Sequence, residues 1–219
     1  SHGIKLKSPP HSAGASYTLT FPNNDGDADQ FLQTNGSGVL TWAAAGGTFE
    51  KLLSGSASSA VNHDFLTFMN SSKYHTYFVQ FSKVIGLQGN TMDFQFADSG
   101  GQFDGSHYWD AAHGFRSNGS DRFTQGGEGQ AQGRLGSGFA ASSGNACNYW
   151  FYIYNNPNGQ GFGNNVNGHS WGYRADYGDY IHADFTIGYN ANDSVTGFRV
   201  HAQGNDATTF DYAIYGIVK

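Results

Sequence analysis

The sequence predicts an all-β protein, and three features of its 219 residues carry that expectation. Gly, Asn, Ser and Asp cluster between runs rich in Tyr, Phe and Val, the punctuation of strands and turns. Glu occurs only at Glu50 and Glu128, and no window holds apolar residues at helical spacing for three turns. Most of the apolar runs alternate with period two, as half-buried strands do: Tyr77, Val79 and Phe81 fall on one face, and Phe78, Gln80 and Ser82 on the other.

Residues 1–47 differ from the rest. Ile4 and Leu6 alternate with Lys5 and Lys7 before a break at "SPPHSAG", and Tyr17, Leu19 and Phe21 alternate with Thr18 and Thr20 before a second break at "PNNDGDAD". "FLQTNGSGVLTW" (31–42) then reads as a hairpin turning at Asn35-Gly36-Ser37-Gly38, because Asn-Gly tolerates positive φ. "AAAGG" (43–47) closes the segment as a small-residue linker. So short a segment, with few large apolar groups, cannot bury enough surface to fold alone; the missing core must come from the C-terminal part, from neighbouring copies or from both, and an oligomer is expected.

From Thr48 onward strands are expected at 48–54, 61–68, 74–85, 90–97, 107–116, 147–155, 169–175, 180–189, 195–203 and 210–218. Their number and spacing imply a two-sheet β-sandwich, of jelly-roll-like type. The Gly/Ser/Gln-rich stretch 117–145 is too long for an ordinary loop and is expected to be a functional excursion or an oligomer contact.

A net charge of −6 with no Lys/Arg block argues against nucleic-acid binding. The single Cys147 rules out an intrachain disulfide and reads as a small buried hydrophobe. No apolar run is long enough for a transmembrane helix, so no membrane insertion is expected. No signal peptide is evident, and Ser1-His2-Gly3 reads as the remnant of tag cleavage on a piece of a longer protein.

The opening segment resembles one recurrent in bacteriophage tail-fibre and other virion structural proteins. The likeness lies at Leu6, Lys7, Leu19, Pro22, Asp25, Gly26, Gln30, Leu32, Thr34, Asn35, Gly36, Gly38, Leu40 and Trp42, with Val39 departing from the usual small polar residue. Tyr74–Phe81, Phe151–Tyr154, Val195–Val200 and Ile214–Ile217 resemble strands of the β-sandwich that often follows in such proteins. The resemblance implies a homotrimer with an intertwined collar (1–47) and a head (48–219), located on the virion exterior and at the host cell surface during adsorption. It also implies other virion proteins and host surface polysaccharide as partners.

Catalysis is not expected, because the available carboxylates (Asp104, Asp110, Asp176, Asp179, Asp184) form no recognisable acid/base motif. No cofactor or metal is assigned. His107 and His113 share a face of one strand but lie roughly 20 Å apart. His169, His182 and His201 fall on successive strands and can meet only if the topology allows it. "NNDGDAD" (23–29) lacks the closing Glu of a calcium loop. Glycan binding is the sharper expectation, since sugars pack on aromatic faces while short polar groups hold their hydroxyls. Trp109, Trp171, Tyr173 and Tyr177 are the candidate platforms, and Asp110, Arg174, Asp176 and Asp179 the hydroxyl partners, with Trp42, Trp150 and Tyr152 assigned to packing. The alternatives are a capsid-decoration or tail-cement protein with no receptor and, with least support, a polysaccharide depolymerase.

Overall fold

A computed structural model describes residues 7–44, 48–117, 122–136, 139–140, 145–155, 163–174, 178–191 and 194–218. The chain divides into two compact units, Ser1–Gly47 and Thr48–Lys219. The expected alternation at Ile4–Leu6, most of the 43–47 linker and parts of 117–145 lie outside the described residues.

The first unit holds one antiparallel hairpin, β1 (Gln30–Thr34) with β2 (Leu40–Ala44). Its turn differs from the expected one. Gly36 and Gly38 take the positive φ values, whereas Asn35 acts through its side chain, with Oδ1 accepting from Ser37 N at 2.8 Å and Val39 N at 3.2 Å. Residues 17–21 form no strand; Thr20 makes a single parallel bridge to Val39. That bridge brings Thr18 O so close to Gly38 that a Cβ there would sit 2.4 Å from it. Trp42 lies over Gly26 and donates its indole N–H to Asn24 O at 2.9 Å. None of residues 7–43 is buried.

The strands of the second unit run in order β3 (Phe49–Ala60), β4 (Asn62–Phe65), β5 (Tyr74–Ile85), β6 (Gln88–Asn90), β7 (Met92–Asp98), β8 (Tyr108–Arg116), β9 (Arg122–Gln130), β10 (Gly133–Arg134), β11 (Phe139–Ala140), β12 (Cys147–Tyr154), β13 (Asn164–Arg174), β14 (Asp179–Tyr189), β15 (Val195–Ala202) and β16 (Thr208–Val218). Eight of them make one sheet in the order β3-β16-β5-β12-β13-β14-β8-β9, and four make a second in the order β10-β7-β15-β4. All pairings in these sheets are antiparallel.

Inward side chains of the two sheets meet in one core, the arrangement of a β-sandwich. Phe94 and Phe198 of the smaller sheet stack at 5.1 Å, and Phe94 meets Phe151 of the larger sheet edge-on at 6.1 Å. Each such buried ring contributes about 1.5–3 kcal/mol through apolar area alone. Cys147 is fully buried among them, and burial pushes its thiol up to about 12. No helix among the described residues is long and apolar enough to cross a membrane.

The stretch 117–145, expected as a functional excursion or an oligomer contact, holds regular structure. Residues 122–130 form edge strand β9, in register with β8. Glycine-rich sequence carries little strand propensity of its own, and here the neighbouring strand imposes the conformation.

Candidate functional site

Strand alternation sorts the side chains of the large sheet. On β14 the odd positions Ile181, Ala183, Phe185 and Ile187 are buried, so Tyr180, His182, Asp184, Thr186 and Gly188 face outward. Register then sets the outward neighbours. Trp150, His169, Asp184 and His113 form one row across β12, β13, β14 and β8, and Trp171, His182 and Phe115 form the next.

The centre of this face is Asp184, which three imidazoles approach. His169 Nδ1 is in contact with Asp184 Oδ1, His182 Nε2 lies 3.7 Å from the same oxygen, and His113 Nε2 lies 3.3 Å from Oδ2. The rings of His169 and His182 are nearly parallel, 5.5 Å apart. Trp150 packs on the other side of His169 at 4.2 Å. Trp150 and Tyr152, expected in packing, therefore lie half-buried on the outward face, while their neighbours Tyr149 and Phe151 fill the core.

His201 is not part of this group. It sits on β15, opposite Asn62 and Asp93 in the smaller sheet, so the expected three-histidine meeting resolves into a pair plus Asp184. His107 has a φ of 72° just before β8 and pairs with Asp104 at 2.8 Å, leaving His113 as the outward histidine of that strand.

One pleat along the strands lies an open depression of about 560 Å³. Ala111, Gly126, Gly127 and Gly188 floor it, with Trp109, Glu128 and Thr186 around them. The absence of side chains on the floor is what makes the hollow. Thr186 Oγ1 donates to Asn167 Oδ1 at 2.7 Å, which fixes its hydroxyl beside the rim.

The expected glycan residues divide between two places. Trp109 (37% exposed) stands at the depression, opposite Gly188, while Trp171 (39% exposed) stands opposite His182. Six residues of β14 separate those two partners, roughly 20 Å along a strand. Tyr173 is half-buried and meets Tyr180 edge-on at 5.4 Å.

Asp110, a candidate hydroxyl partner, also lines the depression. Its side chain points inward and is held by Arg134, with Nε donating to Oδ2 at 2.6 Å and Nη2 to Oδ1 at 3.3 Å. Asp179 is also buried, and neither carboxylate oxygen has a hydrogen-bond partner among the described residues. Arg174 ends β13 opposite Asp179; its side chain, and Asp176 and Tyr177, lie outside the described residues.

The rest of the depression, Gly126, Gly127, Glu128, Thr186 and Gly188, carries no local motif. The one signal in the sequence was the His182-x-Asp184 spacing, which places two potential ligands on one face of a strand. No protein-family model, curated protein or solved structure matches this chain.

Proposed function

We propose that this chain is a virion fibre or spike component whose head binds glycan on a host cell surface. The observation that carries this reading is the shallow, glycine-floored depression beside the exposed indole of Trp109. An indole face suits the C–H patch of a pyranose, and Glu128 and Thr186 supply short polar contacts for hydroxyls. An acidic chain with few charged residues also suits sugar recognition better than electrostatic capture of a negatively charged cell surface.

The head is read as jelly-roll-like, since early strands pair with late ones: β3 with β16, β4 with β15, and β8 with β14. The collar is read as the trimerising element, on the virion-protein resemblance and on the lack of buried residues among the described positions 7–43. Adsorption would multiply weak contacts across three heads.

The test is binding of the full chain to a panel of extracted bacterial surface polysaccharides, followed by calorimetry on any that bind. Trp109→Ala is expected to weaken binding at least tenfold, which corresponds to about 1.4 kcal/mol. An affinity unchanged by that substitution would place the glycan elsewhere. Capsid decoration or tail cement is the second reading, favoured by the outward aromatic group in which Phe78 meets Tyr152 at 5.2 Å, Tyr215 at 6.1 Å and Phe49 at 6.2 Å. Binding to virions and to no polysaccharide would support it.

A further inference from the structure

We propose that His169, His182 and Asp184 bind one divalent transition-metal ion of the zinc class. One nitrogen from each imidazole and one carboxylate oxygen all lie within 4.8 Å of one another. Tetrahedral zinc with bonds of about 2.0–2.1 Å needs its donors ~3.4 Å apart, so His169 Nδ1 and Asp184 Oδ1 have to part slightly while His182 Nε2 closes in. The backbone frame is already fixed: His182 and Asp184 are two apart on β14, and His169 pairs with Asp184 across β13.

Three further observations favour an ion here. Asp184 Oδ1 is inaccessible to solvent, with His169 Nδ1 in contact and His182 Nε2 3.7 Å away. His113 holds the other oxygen, the arrangement by which outer groups orient a ligating carboxylate. Trp150 fixes the ring plane of His169.

A single divalent ion meets both nitrogens and the carboxylate from one centre. The donor set selects the metal class: imidazole suits zinc, cobalt, nickel and copper, whereas calcium and magnesium take oxygen ligands. Three protein ligands leave coordination positions open, and the half-exposed His182 places them toward solvent.

This inference does not depend on the glycan reading. Its test is calorimetric titration of the chelator-stripped full chain with zinc chloride, with cobalt(II) absorption as a spectroscopic readout of coordination. The expected result is one ion per chain. His169→Ala, His182→Ala and Asp184→Asn should each weaken it by more than the roughly 10–100-fold typical of an outer-shell loss, and His113→Ala by about tenfold. His201→Ala, on the smaller sheet, should leave it unchanged. Far-ultraviolet circular dichroism of each metal-free variant separates lost ligation from lost fold. No zinc binding by the folded parent, or undiminished binding by folded His182→Ala, would overturn the proposal.

Discussion

Asp93 sits fully buried on β7, where its oxygens accept from Thr91 Oγ1 at 3.0 Å and from Gln132 Nε2 at 2.6 Å. Those bonds and the charge of Arg134 favour the carboxylate, but desolvation outweighs them and pushes its pKa from 3.8 up to about 6. A raised carboxyl pKa means the folded state binds the proton more tightly than the unfolded chain does. Its contribution to stability is therefore complete below about pH 4 and is lost as pH rises through about 6. A shift of two units corresponds to about 3 kcal/mol. Asp93→Asn keeps an acceptor for Gln132 and removes the charge. It should stabilise the protein by up to about 3 kcal/mol at neutral pH and by little near pH 4. Urea denaturation of both proteins across that range checks this, and a gain independent of pH would refute it. His63 and His201 act with the opposite sign. Burial pushes both below the ordinary value of 6.5, so their contribution is complete above that value and falls away as pH drops through the folded value. Comparing Asp93→Asn with its parent at each pH cancels those two terms.

At the scale of the strand, Gly168 shows why so much glycine lies inside a sheet. A Cβ there would meet Phe151 Cβ and Trp150 O, each at 2.4 Å, so β12 and β13 can pair at this spacing only without a side chain. Gly168→Ala should cost about 1–3 kcal/mol by chemical denaturation. Gly105→Ala, whose Cβ would meet nothing within 4 Å, should stay within about 0.5 kcal/mol. The same contrast explains which elements were legible in the sequence. The alternation from Tyr74 to Ile85 coincides with β5, and the Tyr/Phe/Trp run 147–155 contains β12, because side chains that pack on a pleated surface announce it. Strand β9 was opaque, since Gly126, Gly127 and Gly129 carry no such pattern and their conformation comes from β8. The site was legible only in part for a related reason. The spacing of His182 and Asp184 is local and readable, and His169 follows once β13 and β14 are neighbours. That His201 belongs to the other sheet, or that Trp109 and Trp171 stand at opposite ends of a face, depends on strand order, which no local pattern encodes.

At the scale of the whole molecule, the two units are unequal in what holds them. Among the described residues, the buried core from Phe65 to Ile214 lies in the second unit. The first has a hairpin, one bridge and a tryptophan lying on a glycine, while Tyr17 is 63% exposed, Phe21 50%, Phe31 46% and Leu19 43%. Tyr17, Leu19 and Phe21 also line an open hollow of about 460 Å³ with Pro9. A two-stranded hairpin with its apolar groups in water is marginal by itself. Large apolar side chains grouped in so small a unit are the usual mark of an association surface. Identical copies would supply the missing contacts with a single interface repeated by symmetry. Light scattering of the full chain should therefore give about three times its 23.6 kDa mass, and residues 48–219 alone should give a monomer that still unfolds cooperatively. Replacing Tyr17 and Phe21 together with serine should lower the full chain to monomer without changing the unfolding midpoint of the head. If the full chain is already monomeric at concentrations where it adsorbs, the first unit cannot be a collar of its own copies, and its exposed aromatics must be covered by a different protein.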